Sequence, residues 1–181
     1  MEIRKNDKNW PKRLRDQKGM PDLLYVKGDL PKKGEKTAAI VGARMCSQYG
    51  RQQACRYARA LAEAGVSIIS GMARGVDSCA HGGALEVGGR TYAVLGCGLD
   101  ICYPAGNRSL YERIPERGGL ISEFPMGTKP LGRHFPMRNR IISALSDIVL
   151  VVEAKEKSGS LITADFALEQ GKDVYALPGP V

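Results

Sequence analysis

Four short segments of this 181-residue chain carry residue types that hold phosphates and bases. The first is Gly42-Ala43-Arg44, running on through Met45-Cys46-Ser47 to Gly50. A glycine there admits close backbone approach, and the helix expected to follow would offer free N–H groups and a positive dipole end to an anion. Taken alone, the segment supports equally a plain turn at Gly42 with a solvated Arg44. The second reads Ser70-Gly71-Met72-Ala73-Arg74-Gly75-Val76-Asp77, again Gly-rich with an arginine ahead of a helix. In the third, Lys129, Arg133, Phe135, Arg138, Asn139 and Arg140 lie in a stretch with no acid between Glu123 and Asp147. A ring that stacks on a base beside guanidiniums that hold phosphates is what single-stranded nucleic acid needs; the competing role for Phe135 is a core residue stapling a helix start. The fourth is Lys155 with Ser158-Gly159-Ser160, small residues whose N–H groups also suit an anion.

Other chemistries are poorly supplied. Neither G-x-G-x-x-G nor the Lys and Ser/Thr of a P-loop is present, so neither dinucleotide binding nor nucleoside-triphosphate hydrolysis is indicated. Asp77 and His81 are four apart and share a helix face, where a carboxylate could orient an imidazole. No nucleophile or oxyanion site accompanies them, and His81 reads as a structural histidine. Cys79, Cys97 and Cys102 with His81 match no common zinc spacing, so no metal and no cofactor is expected.

The segments share one kind of position. Apolar runs at 37–42, 66–70, 91–96, 119–122, 147–153 and 173–177 alternate with helical patterns at about 47–65, 77–87, 109–117, 136–145 and 161–170. Such alternation implies right-handed βαβ units and a mainly parallel sheet. The expected fold is α/β, a doubly wound, extended Rossmann-like sandwich with helices on both faces. In such sheets ligands bind beyond the carboxyl ends of the strands. Four Gly-rich or basic strand-end loops on one edge would form a groove able to track successive phosphates.

Composition sets the outer limits. The chain has 27 Lys plus Arg against 19 Asp plus Glu, a formal charge of +8, with 43% hydrophobic residues, as for a globular protein. Residues 1–36 hold 11 basic and 6 acidic side chains and read as a solvated basic arm packing on, or leading into, a core over 37–181. Residues 124–146, with 4 basic and no acidic side chains, are the better binding surface. No apolar run approaches the roughly 20 residues of a membrane span, and the N-terminus lacks a secretory h-region, so a cytoplasmic location is expected. Five cysteines without a C-x-x-C pair suit reduced thiols.

The motifs IVGAR followed by SQYG, SGMARGVDSCAH, YAVLGCGLDICYP, ISEFPMG, FPMRNRIISALS and VVEAKEKSGSLITADFALEQGKDVYALPG, in this order, resemble the DNA-processing protein A (DprA, also called Smf) family. The resemblance covers nearly the whole chain from about Pro11. It implies an extended Rossmann-type domain that binds single-stranded DNA without marked sequence preference, loading of the RecA recombinase during natural transformation, and a homodimer. It places the phosphate-binding loop on Gly42, Ala43 and Arg44, the basic and aromatic contacts on Phe135, Arg138 and Arg140, and the Gly/Ser turn on Ser158, Gly159 and Ser160. Ala43 stands where the family usually has Ser or Thr, which leaves its backbone N–H for phosphate. The family also continues past the position of Val181, so this chain reads as a core or a short member.

The alternative is a nucleotide-binding or phosphoribohydrolase-like enzyme of a related Rossmann group. That group's P-G-G-x-G-T-x-x-E turn carries a catalytic Glu. The counterpart here runs from Ser158 to Thr163 and puts Phe166 where the Glu would stand.

Overall fold

The computed structural model describes residues 1–179; Pro180 and Val181, where the expected core ends, lie outside the described residues. The chain runs β1 (Glu2–Arg4), α1 (Lys12–Arg15), β2 (Leu23–Gly28), β3 (Thr37–Val41), α2 (Gln48–Glu63), β4 (Ser67–Ser70), α3 (Val76–Glu86) and β5 (Thr91–Leu95). After a 3-10 turn at Ala105–Asn107 come α4 (Arg108–Arg117), β6 (Gly119–Ser122), α5 (His134–Leu145), β7 (Ile148–Val151), α6 (Gly159–Glu169) and β8 (Asp173–Ala176). One sheet takes all eight strands in the order β1-β2-β6-β5-β4-β3-β7-β8.

From β6 to β8 every pairing is parallel, including Ile40↔Leu150 between β3 and β7. The expected doubly wound α/β sheet is therefore present. Its winding reverses between β3 and β7, because the chain fills one side from β3 outward to β6 and then returns to place β7 and β8 on the other. A reversal leaves a crevice at the carboxyl ends of the two central strands.

Alternation along the strands sorts the core into two faces. Ala39, Val41, Val149 and Val151 pack with Ile141, Ile142 and Leu145 of α5, Ala164 and Ala167 of α6 and Leu14 of α1. Ile40, Ile68 and Leu150 pack with Ala54 and Ala58 of α2 and Ala80 and Ala84 of α3. Beside these, Leu95 and Leu120 meet Tyr111 and Ile114 of α4.

Residues 1–36 are not a solvated arm. β1 pairs antiparallel with β2, and β2 antiparallel with β6, Val26 opposite Ile121. Ile3, Trp10, Leu14, Leu24 and Val26 are buried in the same core as α5. Each such side chain contributes about 1.5–3 kcal/mol on leaving water, and the lysines between them stay outside. Arg13 ties the segment down, bonding to Thr37 Oγ1 (2.8 Å), Glu35 O (2.7 Å) and the Asp147 carboxylate (2.7 Å).

Candidate nucleic-acid interface

At the β3/β7 switch point lies a cleft of about 450 Å³, walled by Gly42, Ala43, Arg44, Phe135, Arg138, Asn139, Lys155, Ser158, Gly159 and Ser160, with Asp77 and Thr163 behind. The structure thus brings together residues from the loops after β3 and β7 and from the start of α5. Ser70, Gly71, Arg74, Arg133 and Arg140 do not line it.

Arg44 is exposed, and its guanidinium carbon stands 5.0 Å from the centre of the Phe135 ring. Phe135 is half-buried in the first turn of α5, which begins at His134, two residues before the sequence pattern predicts. Its ring lies on Gly96, where a Cβ would come within 2.9 Å of Cδ1. Phe135 is thus packed on Gly96, as a residue stapling a helix start would be, and it also lines the cleft. A residue that sequence reasoning passed over joins it. Tyr103, exposed in the loop after β5, has its ring 5.6 Å from that of Phe135. The signal available was an aromatic residue in a fifth strand-end loop, in CGLDICYP.

The backbone donors are arranged differently from the expectation. The Ala43 N–H donates to the Glu153 carbonyl (2.7 Å), and the Ala43 carbonyl accepts from Val76 (3.3 Å), so this peptide is committed within the fold. A Cβ on Gly42 would meet Val76 Cγ2 at 2.6 Å and Glu153 O at 2.9 Å, so the glycine serves loop packing. The N-terminus of α2 is also occupied: the Glu153 carboxylate accepts from Ser47 N (3.0 Å) and Ser47 Oγ (2.7 Å). Open donors sit instead at α6. Ser158 and Ser160 bond to each other through their hydroxyls (2.8 Å), and Asn139 Nδ2 holds the Gly159 carbonyl (2.9 Å). While the Leu161 N–H donates to the Ser158 carbonyl (3.1 Å), the N–H groups of Gly159 and Ser160, two residues that line the cleft, have no acceptor among the described residues.

Arg138 is corrected most sharply. It is 3% exposed, and its Nη1 donates to the carbonyls of Gly71 (2.6 Å) and Val94 while Nε donates to Asn139 Oδ1 (3.2 Å). Across Gly71 it faces Asp77, which accepts from the N–H groups of Gly71 (3.1 Å) and Ala73 (3.3 Å). A Cβ on Gly71 would lie 2.6 Å from Arg138 Nη2 and 2.7 Å from Asp77 Oδ2, so glycine is required between them. Burial lowers the guanidinium to about 10, still charged at neutral pH. Burial likewise pushes the Asp77 carboxyl up, against the pull of Arg138 and the two N–H donors. Arg138 is thus an internal strut joining the second loop to β5 and α5. Its guanidinium also stands 5.9 Å from the Phe135 ring centre.

Arg140 is likewise unavailable, paired to Glu123 at 2.5 Å with the two side chains 16% and 10% exposed. Of the four basic side chains of this stretch, only Lys129 and Arg133 are exposed. Ser70 is buried, its hydroxyl donating to the Ile40 carbonyl (2.7 Å), and Arg74 is exposed beside the cleft loops.

His81 is fully buried, its Nδ1 2.7 Å from Thr91 Oγ1, and burial lowers its pKa to about 3. Asp77 does not orient it. Phe166, at the position of the enzyme group's Glu, is partly buried on α6. Among the described residues no group of three or more His, Cys, Asp or Glu is placed to hold a metal, and the five cysteines are free. No helix among them is long and apolar enough to cross a membrane.

Residues 2–181 match the family described as DNA recombination-mediator protein A. Protein Smf of Escherichia coli (strain K12) is 47% identical over 173 residues, 95% of this chain and 46% of that protein. DNA processing protein DprA of Streptococcus pneumoniae is 45% identical over 161 residues, 89% of this chain and 57% of that protein. The chain spans about half the length of these curated relatives. In fold it is similar to the X-ray structure of DNA processing protein A from Streptococcus pneumoniae (TM-score 0.94, 41% identity, 100% of this chain and 64% of that one). It is also similar to DNA processing protein A from Helicobacter pylori, whose structure concerns its single-stranded DNA binding mode (TM-score 0.89, 33% identity, 99% and 85%). A molybdenum cofactor binding protein from Rippkaea orientalis shares the fold alone (TM-score 0.60, 19% identity, 82% and 80%).

Proposed function

The chain belongs to the DNA recombination-mediator protein A family, and from that premise we propose that it binds single-stranded DNA in the cleft at the β3/β7 switch point and performs no covalent chemistry there. The observation that carries this reading is the meeting of Arg44, Phe135 and Tyr103 beside the open N-terminus of α6. Rings with one accessible side stack on bases of any identity, while Arg44, Lys155 and the α6 N–H groups take the phosphates between them. The one carboxylate among the lining residues, Asp77, is buried and held by two backbone donors, which suits a binding site better than a general base. Arg74, Lys129, Arg133 and Lys157, in the loops after β4, β6 and β7, are further exposed cations at the same end of the sheet.

The wider role follows the family: delivery of the strand to the RecA recombinase on incoming DNA, action as a homodimer, and a cytoplasmic location. Fluorescence anisotropy with single- and double-stranded oligonucleotides across a salt series tests the binding reading. Single strands are expected to bind more tightly. The log-affinity slope should be at least about −1.4 from Arg44 and Lys155 alone, at about −0.7 for each phosphate neutralised. Preference for the duplex overturns the reading.

A further inference from the structure

A second concavity of about 800 Å³ lies at the opposite end of the sheet, between α1, the β2–β3 connection and the C-terminal end of α5. Lys8, Lys12, Arg15, Lys32 and Lys33 line it, all exposed and, among the described residues, with no carboxylate within ion-pair distance. Its two acids are Asp16 and Asp29, and Asp29 is already paired to Arg90 at 2.9 Å. Much of the positive charge of residues 1–36, patternless along the sequence, is thereby collected around one hollow.

The two basic loops are held in place. Glu35 receives the Lys32 N–H at 2.8 Å through Oε2, while its Oε1 takes the hydroxyls of Ser67 (2.5 Å) and Tyr92 (2.9 Å), so the turn bearing Lys32 and Lys33 is anchored to β4 and β5. The turn bearing Lys8 is closed by Asp7, whose carboxylate accepts from Arg4 N (2.7 Å) and whose carbonyl accepts from Trp10 N (3.1 Å). Trp10, 3% exposed in the wall, has a buried indole N–H with no acceptor among the described residues.

We propose that this hollow is a second phosphate track for the same single strand, entered after the strand leaves the switch-point cleft. The inference rests on the binding reading above. Helix α5 connects the two places: its first turn carries Phe135 at the cleft, and its last residue, Leu145, lines the hollow. The ten steps from Phe135 to Leu145, at 1.5 Å each, separate them by about 15 Å along the helix, a span that a few nucleotides cover. Cations without partners on a rigid frame hold a phosphate backbone without reading sequence. A protein partner would need an apolar or aromatic anchor at the centre; of the apolar wall residues Ile3, Trp10, Val26 and Leu145 are buried and Leu30 is partly buried, which leaves Met1 as the one large apolar side chain exposed there.

The test compares oligothymidylates of about 6 and about 20 nucleotides, near the lower end of and above the ~4–16-nucleotide footprint of a single groove. The proteins are the parent, Arg44→Ala, and the fourfold variant Lys8→Ala, Lys12→Ala, Lys32→Ala, Lys33→Ala. Arg44→Ala is expected to weaken both lengths. The fourfold variant should bind the short strand as the parent does, and on the long strand lose about 2 to 3 from the salt slope, up to about 0.7 for each lysine. An unchanged slope on the long strand overturns the second track while leaving the first cleft standing. Equal loss on both lengths overturns it too, because the charge would then act only at a distance. Polyglutamate displaced by the fourfold change where DNA is unaffected would assign the hollow to an acidic protein and overturn the inference. If Arg44→Ala changes nothing at either length, the binding reading itself fails.

Discussion

Arg138→Ala separates a strut from a ligand contact. The guanidinium is fully buried, serves the carbonyls of Gly71 and Val94, and is the counter-charge to Asp77. Removing one partner of a buried pair costs about 3–5 kcal/mol, because the other charge and the freed carbonyls stay out of water. For a domain of this size each kcal/mol moves Tm by about 2–4 °C, so Arg138→Ala should melt about 6–20 °C below the parent. Arg44→Ala, at an exposed site, should stay within about 0.5 kcal/mol of the parent and take about 0.7 off the salt slope of single-strand binding. Calorimetric melting and salt-dependent anisotropy on the same preparations give both quantities. Below its melting range Arg138→Ala should keep the parent's slope, since no phosphate contact is lost. The double variant Asp77→Asn with Arg138→Met should recover part of the stability, since no unpaired charge then remains buried. An Arg138→Ala protein as stable as the parent, with a slope reduced like that of Arg44→Ala, would refute the strut.

Phe135→Ala and Tyr103→Ala should each weaken oligonucleotide binding by about 1–3 kcal/mol with the salt slope unchanged; because the rings are 5.6 Å apart, the double variant should lose less than the sum, and a slope that falls with either ring would count against stacking. His81 has a folded pKa depressed to about 3 against about 6.5 unfolded, so the unfolded chain takes up the proton first and stability falls as pH drops below about 6.5, by about 1.4 kcal/mol per unit. Urea titrations between about pH 7 and pH 5 should show that slope flattened in His81→Gln, and identical slopes in the two proteins would exclude it. Glu153→Gln should cost about 0.3–2 kcal/mol in chemical denaturation by weakening the anion at the N-terminus of α2, with no loss of oligonucleotide affinity; a loss would mean that the carboxylate orders Arg44 for DNA.

Much of the architecture is legible in the residues. β3 (TAAIV) and β7 (IVLV) are short apolar runs that only a sheet covered on both faces can bury, and each is followed by a helix of helical-period alanines and leucines. Ser47 as a cap of α2, with Gly50 N bonded to its Oγ at 3.0 Å, is equally a local matter. The N-terminal strands escape such reading because β1 is three residues long, β2 alternates its exposure, and across residues 1–36 charged side chains outnumber the apolar ones.

The sequence by itself determined the α/β class, the strand-end position of the Gly-rich loops and the place of Phe135 at a helix start. These depend on period and local backbone preference, which act within a few residues. Tertiary structure alone decided which charges face water. Arg44 and Arg138 look alike in the chain, yet one lies over a ring at the surface and the other inside against Asp77, because its counter-charge and acceptors come from Gly71, Asp77 and Val94, distant in sequence. The same holds for Ala43, whose N–H is claimed by Glu153, and for the lysines of residues 1–36, gathered only when β2 pairs with β6. Burial and pairing depend on what lies across the fold, and residue type does not contain that information.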